Sequence, residues 1–338
     1  MSPDTTLPHI RVITTGGTIA GAGAHGSDSG YASGVLSAHD VLSSVPDLVR
    51  LARISAESPF SKDSADILPS DWVTLVSMVE QACHDDTIDG IVITHGTDTL
   101  EETAWLLQLV LPVGKPVVIT GAMRAATSFS ADGPLNLFNA VAVAAHPRAD
   151  QRGVLVVMND TVFSASSVSK QHTTAVQAFA SQHEGPVGYV SMGQLSWCSL
   201  RAAPALAGAF CGVVHSTTLW PTVIILYLHA AMAAETVHQH FEAQGLDGVV
   251  LAGLGNGNIP SSVFPSLIHA YDAGIPVVRA SRVAKGAISP DYNTLDSRFG
   301  TLCAAHLTPV QARILLALAI LRHGRNHNRL SSVFNQLS

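Results

Sequence analysis

In the sequence 91–103, a predicted strand runs directly into a cluster of hydroxyl and carboxyl side chains, which limits the folds open to this chain. Residues 91–94 are apolar or β-branched, a His-Gly turn follows, and apolar residues at helical spacing then predict a helix over 98–111. Strand, tight turn and helix form the repeating unit of a parallel α/β sheet, in which ligands bind beyond the carboxyl ends of the strands. Thr97 and Asp98 therefore have two interpretations, as helix caps or as residues of a functional site.

The same strand-and-helix rhythm continues on both sides of this turn. Its pattern predicts strands at 10–15, 51–56, 90–94, 115–120 and 153–158, and helices at 38–45, 70–83 and 133–145. The pattern then loosens, and only short strands are expected within 159–167 and 185–194. We therefore expect an α/β fold whose larger N-terminal domain has a mainly parallel sheet flanked by helices.

A chain of 338 residues is long for one core, so two domains are expected. Residues 199–221 have no clear period and many small side chains, which is typical of a linker between residues 1–198 and 222–338. The pattern beyond the linker predicts strands at 223–227, 248–252 and 276–279, and helices at 234–244, 261–273 and 309–322. The second part is therefore expected to be a smaller C-terminal α/β domain.

Composition and charge exclude several classes of protein. Apolar residues make up 47% of the chain and charged residues 13%, which is typical of a well-buried globular enzyme and not of a disordered chain. The formal net charge is −7 without a run of Lys or Arg, which argues against binding to nucleic acid or to an anionic membrane surface. The most apolar window, 223–234, is interrupted by His229 and is too short to span a bilayer.

The cysteines and the N-terminus bear on the compartment. Cys83, Cys198, Cys211 and Cys303 are widely spaced, so we expect reduced, buried thiols, with neither a disulfide framework nor a metal site. The first residues lack the basic start and apolar stretch of a signal peptide. The expected location is the cytoplasm, or the periplasm if a processed leader is missing from the sequence.

One glycine motif suggests a cofactor that the context does not favour. Residues 21–26 match the dinucleotide fingerprint G-x-G-x-x-G. That fingerprint requires a strand directly before it and a helix opening within it. Here the predicted strand ends several residues earlier and a Ser- and Gly-rich loop follows, so no cofactor is expected.

Hydroxyl groups at strand ends are the best candidates for chemistry. Thr18 follows the first predicted strand, and Thr97 with Asp98 follows a later one, so both would open at the same edge of a parallel sheet. Lys170 lies in a polar stretch and would lower the cost of ionising Thr97, while Tyr31 lies in a loop that would close over a substrate. Taken singly, each threonine is more often a cap and a lysine is more often a surface charge.

At these residues the chain resembles the bacterial-type L-asparaginases, including the glutaminase-asparaginases. The segments TTGGTIA at 14–20 and ITHGTDTLEET at 93–103 resemble the two signatures of the family. Shorter matches are GAMR at 121–124, SADGP at 130–134, VVMND at 156–160, GNGN at 255–258 and SRV at 281–283. The resemblance thus covers nearly the whole chain.

The resemblance implies hydrolysis of L-asparagine to L-aspartate and ammonia without a metal or cofactor. It implies that Thr18 is the nucleophile that forms an acyl-enzyme, and that Tyr31 closes over it and assists proton transfer. Thr97 and Lys170 would orient or activate water, and Asp98 would also hold the amino group of the substrate. Which cluster acts at which step stays open at this point.

Two further residues are implied as substrate contacts in this part of the chain. The spacing to Trp72 favours Ser64 over Ser61 as the serine that binds the substrate α-carboxylate. Ala122 would line the pocket through its backbone.

The resemblance also implies a homotetramer, a dimer of dimers in which the C-terminal domain completes a neighbouring subunit's site. Asn258 is the matching residue from that domain. Where family members often have a glutamate near the substrate ammonium group, this chain has Asn293, a neutral amide that would alter affinity or the preference between asparagine and glutamine. The apolar stretch 199–221 also differs from typical members.

Besides a nucleotide-dependent oxidoreductase, which depends on the disfavoured glycine motif at 21–26, two alternatives to an asparaginase remain. One is a glutaminase-asparaginase of broader specificity, and the other is a catalytically silent amino-acid-binding protein.

Overall fold

The computed structural model describes residues 7–23, 30–198, 206–215, 219–242 and 244–337. The chain forms two compact units, Met1–Ser216 and Thr217–Ser338, and each is built on its own mainly parallel sheet. The expected two-domain α/β architecture is therefore confirmed. The linker predicted at 199–221 stays a prediction, because residues 199–205 and 216–218 lie outside the described part of the chain.

The first unit contains ten strands and four α-helices within the described residues. The strands are β1 (His9–Thr14), β2 (Arg53–Glu57), β3 (Gly90–Thr94), β4 (Val117–Thr120), β5 (Val154–Met158), β6 (Thr161–Ser164), β7 (Val168–Lys170), β8 (Phe179–Ser181), β9 (Gly188–Ser191) and β10 (Gln194–Trp197). The helices are α1 (Ala38–Ser43), α2 (Pro69–His84), α3 (Leu100–Val110) and α4 (Gly133–Ala144). Each of the strands and helices predicted up to residue 158 is present with ends shifted by at most two residues.

Eight of these strands form one sheet in the order β10-β9-β6-β5-β4-β3-β1-β2. The five strands from β5 to β2 in this order are parallel to their neighbours, and the far edge beyond β5 is antiparallel. The central strands β3, β4 and β5 are buried along their whole length, as expected for parallel strands covered by helices on both faces. Strands β7 and β8 form a separate hairpin.

The second unit has a four-stranded parallel sheet in the order β11-β12-β13-β14. Its strands are β11 (Val223–Tyr227), β12 (Gly248–Gly253), β13 (Val277–Ser281) and β14 (Leu302–Cys303). Its helices are α5 (Ala234–Phe241), α6 (Phe264–Asp272), α7 (Leu295–Phe299), α8 (Pro309–His323) and α9 (His327–Phe334). The predicted closing helix is α8, but α9 follows it. Within the described ranges, no helix is long and apolar enough to cross a membrane.

Part of the aperiodic stretch after residue 198 packs onto helix α3. Leu206, Phe210 and Val214 are buried, which accounts for the apolar composition of this segment. The amides of Gly208 and Phe210 donate to the carbonyls of Gln108 and Leu109, at 2.9 and 2.8 Å. The last carbonyls of a helix have no partner inside the helix. The segment therefore caps the C-terminal end of α3.

Two other expectations need correction or restriction. None of the four cysteines forms a disulfide bond, but Cys198 and Cys211 are exposed, so the expectation of four buried thiols is wrong. In the glycine motif at 21–26, β1 ends at Thr14 and a 3-10 turn intervenes, so no strand leads directly into it. Residues 24–26 of the motif lie outside the described residues.

Candidate active site

The site forms where the connections of the large sheet change direction. From β1 the chain moves to β2 on one side and then returns to β3 on the other, so the carboxyl ends of β1 and β3 border a topological switch point. The backbone amide and the hydroxyl of Thr15 both donate to the carbonyl of Thr94, at 3.1 and 3.0 Å. These bonds hold together the two loops that follow the strands.

Two glycines allow these loops to touch. A Cβ atom on Gly17, whose φ is +75°, would lie 2.4 Å from the Cα of Gly96. A Cβ atom on Gly96 would lie 2.6 Å from the hydroxyl oxygen of Ser64. Any side chain at either position would push the loops apart. The glycines therefore bring Thr18 and Thr97, the next residue after each, to the same place.

A cavity of about 220 Å³ opens at this point, entirely within the first unit. Among the residues that line it are six of the predicted site residues, Thr18, Tyr31, Ser64, Thr97, Asp98 and Lys170. These six come from five separate segments of the chain. Their meeting in one cavity is the geometric basis for a candidate active site.

The hydroxyl groups of Thr18 and Tyr31 form one pair in this cavity. Their oxygens are 2.8 Å apart, and Thr18 is largely buried. The segment that carries Tyr31 returns to the 3-10 turn after Thr18 through mutual backbone hydrogen bonds between Ala22 and Ala32. A hydroxyl held against a second hydroxyl has a partner for proton exchange.

Thr97, Asp98 and Lys170 form the second group. The Nζ atom of Lys170 lies 2.9 Å from the Thr97 hydroxyl and 2.6 Å from Asp98 Oδ1. Helix α3 begins only at Leu100, and no side chain caps its first turn. The alternative that Thr97 or Asp98 caps this helix is therefore wrong, because both side chains turn toward the lysine.

Glu101 fixes the strand that carries this lysine. Its Oε2 atom accepts a hydrogen bond of 2.5 Å from the backbone amide of Lys170. Burial raises the pKa of Glu101, while the hydrogen bonds from Lys170 and Ser169 act in the opposite direction. Glu101 thus connects the first turn of α3 to β7, on which the position of the lysine depends.

A buried histidine lies behind the cluster. Nδ1 of His95 is 2.7 Å from the Gly96 carbonyl, which can only accept, so Nδ1 carries the proton. Nε2 therefore accepts from the hydroxyl of Thr103, 3.0 Å away, and that hydroxyl in turn accepts from the indole of Trp72. Burial lowers the pKa of His95 to about 4, so the ring is neutral near pH 7.

The two candidate serines, Ser61 and Ser64, lie in one loop but have different surroundings. Ser64 lines the cavity, and its hydroxyl has no hydrogen-bond partner within the described part of the chain. Ser61 donates instead to the carbonyl of Gly34 at 2.6 Å and does not line the cavity. Of these two serines, Ser64 is therefore the one that a molecule in the cavity can reach, and its role in binding the substrate α-carboxylate stays a prediction.

The remaining predicted residues do not line this cavity. Ala122 is fully buried just after β4, and its neighbour Met123 lines the cavity instead. Asn258 and Asn293 lie in the second unit, where the Asn293 amide donates to Asn258 Oδ1 at 3.2 Å. Asn293 has a φ of +55°, in the left-handed region.

Five residues that line the cavity are not among the predicted site residues. They are Gly17 and Gly96, which directly precede Thr18 and Thr97, Asp63, which precedes Ser64, Met123, which follows Ala122, and Thr173, three residues after Lys170. Each is next to, or close in sequence to, a residue that was selected, which is the only signal that pointed to it. Within the described ranges, no group of three or more His, Cys, Asp or Glu side chains is placed to hold a metal ion.

A polar, amino-acid-sized cavity with two threonine hydroxyls, beyond the carboxyl ends of parallel strands, defines an α/β enzyme site for a small polar molecule. Comparison with known proteins makes the class specific. The model of the asparaginase N-terminal domain matches residues 9–202, and that of the glutaminase/asparaginase C-terminal domain matches residues 222–334. The chain therefore belongs to the asparaginase family.

Individual relatives are similar over nearly the whole chain. L-asparaginase 2 of Escherichia coli is 41% identical over 98% of this chain and 93% of that protein. A glutaminase-asparaginase of Pseudomonas aeruginosa is 36% identical over 95% and 89%. The crystal structure of a probable cytoplasmic L-asparaginase from Campylobacter jejuni superposes with a TM-score of 0.91 at 35% identity, covering 97% of this chain and 99% of that one.

Proposed function

We propose that this protein is an L-asparaginase, which hydrolyses the side-chain amide of L-asparagine to L-aspartate and ammonia. The observation that carries the proposal is the cavity in which the Thr18–Tyr31 pair and the Thr97–Lys170–Asp98 cluster meet. The chain's family and the names of its relatives support this substrate.

Acylation is assigned to the Thr18 pair. The Thr18 hydroxyl oxygen attacks the amide carbon, the C–N bond breaks, and the substrate is left as an ester on Thr18. The hydroxyl proton passes through Tyr31, 2.8 Å away, to the departing nitrogen, which leaves as ammonia.

Deacylation is assigned to the second cluster. The Lys170 ammonium group donates to the Thr97 oxygen at 2.9 Å, which leaves the Thr97 hydroxyl oriented toward a water molecule in the cavity. Attack of this water on the ester carbon breaks the bond to Thr18, returns a proton to its oxygen and releases aspartate.

Substrate binding uses groups on both sides of the cavity. The unpartnered hydroxyl of Ser64 suits the α-carboxylate, and Asp98 suits the α-ammonium group. Met123, directly after Ala122, lines the cavity and would contact the amide. Asn258 and Asn293 complete the site of a neighbouring subunit in a homotetramer built as a dimer of dimers.

The proposed location is the cytoplasm. Four cysteines without a disulfide bond, two of them exposed, suit a reducing compartment. Cell fractionation with an antibody against the native protein tests this location, and recovery in a periplasmic extract would contradict it.

A glutaminase-asparaginase of broader specificity is the second candidate, favoured by the glutaminase-asparaginase among the relatives. Ammonia release from L-asparagine and L-glutamine by the purified protein separates the two. One methylene group in a pocket is worth about 1–3 kcal/mol, so the first proposal predicts a ratio of kcat/KM of about 10 or more in favour of asparagine.

The same assay tests whether the protein is catalytic at all. Binding of asparagine, measured by calorimetry, without ammonia release would establish a silent binding protein and contradict both enzyme proposals.

A further inference from the structure

The cavity contains more negative charge than its lysine neutralises. Two carboxylates, Asp63 and Asp98, and one cationic side chain, Lys170, line it. Lys170 pairs with Asp98 at 2.6 Å. Among the described residues no cationic group forms an ion pair with Asp63. One carboxylate therefore remains uncompensated before any substrate enters.

Asp63 is held in place by neutral donors. Its Oδ1 atom accepts from the backbone amide of Ala65 at 3.0 Å, and its Oδ2 atom accepts from the hydroxyl of Ser33 at 2.8 Å. Each carboxylate oxygen has two acceptor sites, so each retains one. Both bonds orient the group without cancelling its charge. The carboxylate is thus preorganised for a cation.

The neighbouring Ser64 indicates which cation would fit. In an amino acid the α-ammonium and α-carboxylate groups are attached to one carbon. Asp63 offers an acceptor and Ser64 a hydroxyl donor from consecutive residues that line the same cavity. Adjacent acceptor and donor groups match adjacent cationic and anionic groups on the ligand.

We propose that Asp63 binds the α-ammonium group of the substrate, together with Asp98, and thereby selects amino acids over amides that lack this group. The inference rests on the proposed amidase function and names a specificity-determining residue for it. The contacts of Asp63 also suit a purely structural role, because its side chain caps the turn Ser64–Asp66 and accepts a hydrogen bond from Ser33, two residues after Tyr31. The two roles predict different dependence on the substrate.

The test compares L-asparagine with succinamate, which has the same amide and carboxylate but no α-ammonium group. In Asp63→Asn we expect the KM for asparagine to rise about five- to tenfold while kcat changes by less than about twofold, because a partly exposed charge is lost from substrate binding. The KM for succinamate should stay unchanged or fall.

Two matched variants separate charge from structure. Asp66→Asn removes a carboxylate from the same turn that does not line the cavity, and should leave KM for both amides unchanged. Ser33→Ala removes the hydrogen bond to Asp63 but keeps its charge, and should affect both amides equally. Asp63→Asn would overturn the inference if KM for asparagine did not change, or if KM for both amides rose by the same factor.

Failure of the proposed function would be distinguishable from failure of this inference. If the wild-type protein released no ammonia from asparagine, the function would fail, and calorimetric binding of asparagine and succinamate would test Asp63 directly. The inference then predicts that Asp63→Asn weakens binding of asparagine alone. Equal weakening of both, no weakening, or no binding of asparagine to the wild type would contradict it.

Discussion

At position 96 the close approach of Ser64 requires glycine, because the hydroxyl of Ser64 occupies the space that a side chain would need. A Cβ atom there would lie 2.6 Å from this hydroxyl and 2.7 Å from the Cβ of Ser64. The glycine therefore sets the distance between the loop of Thr97 and the loop of Ser64, and with it the shape of the cavity.

Replacement of Gly96 tests this close approach. Gly96→Ala should lower kcat/KM for asparagine by about 10²-fold, since displacing catalytic groups by about 1 Å has effects of this size. The control is Gly114→Ala, where a Cβ would have no neighbour within 4 Å, and steady-state ammonia release should be unchanged. Full activity in Gly96→Ala would show that the loops tolerate separation.

His95 is a second residue whose importance appears only in the structure. The sequence places it in a turn, whereas in the fold it is fully buried, and its Nε2 atom accepts a hydrogen bond from the Thr103 hydroxyl. Its pKa is lowered from 6.5 to about 4, so the unfolded chain takes up a proton before the folded one as the pH falls. Stability should therefore decrease on acidification through this range.

The pH dependence of unfolding measures this effect. Because the pKa of His95 is lowered in the folded state, the free energy of unfolding of the wild type should fall by about 3 kcal/mol between about pH 7 and about pH 4. In His95→Gln, urea unfolding at several pH values should show a flatter slope over this range. The control is His39→Gln, which replaces an exposed histidine and should keep the slope of the wild type. If the free energy of unfolding had the same pH dependence in His95→Gln as in the wild type, His95 would not be a buried neutral histidine.

At the residue scale, the sequence was sufficient to select six of the residues that line the cavity, because hydroxyls and a carboxylate follow predicted strands or family motifs. The sequence alone could not decide whether Thr97 and Asp98 cap the helix or belong to the site. Lys170, which decides that question, lies more than 70 positions away in the chain. Local pattern reasoning contains no information about such a partner.

Among the elements, the first turn of α3 and strand β7 are joined by a side-chain hydrogen bond. Glu101 lies in the first turn of α3, and its carboxylate accepts a hydrogen bond from the backbone amide of Lys170 on β7. This bond fixes the lysine that lies against Thr97. The segment is thus a positioning device for the second cluster.

Substitution of Glu101 tests this device. Glu101→Ala should lower kcat about 10- to 100-fold through misplacement of Lys170, with a smaller change in KM. Glu101→Gln keeps an oxygen acceptor for the Lys170 amide and should retain most of the activity. Equal loss in both variants would show that the charge of Glu101, rather than its hydrogen bond, is needed.

The elements themselves follow the pattern of the sequence closely in the parallel part of the large sheet. Apolar, β-branched runs are unambiguous where strands are buried on both faces. The segment 206–215 has no such pattern, because its order comes from the terminal carbonyls of α3, about 100 residues earlier. The sequence pattern does not predict the short elements β7, β8, β10, β14, α7 and α9, since each has few residues on which a period can be recognised.

At the scale of the whole molecule, the predicted site residues are divided between the two units. Six line the cavity of the first unit, whereas Asn258 and Asn293 hydrogen-bond to each other in the second. In the proposed homotetramer, these asparagines serve the site of a neighbouring subunit.

Complementation between inactive variants tests this arrangement. Thr18→Ala should abolish activity, and Asn258→Ala should lower it strongly. In hybrids made by co-expression, an Asn258→Ala subunit keeps its own Thr18 and receives an intact Asn258 from its partner, so part of the activity should return. Hybrids no more active than the sum of the separate variants would contradict a shared site.

If Thr18 forms the covalent bond to the substrate, mass spectrometry of protein quenched during turnover of asparagine should detect the ester. Lys170→Met should be used, because slowed deacylation allows the ester to accumulate. We predict a mass increase of one aspartyl group, located on the peptide that contains Thr18 and absent from the double variant with Thr18→Ala. An adduct located on Thr97, or one that persists without the Thr18 hydroxyl, would show that Thr18 is not the nucleophile.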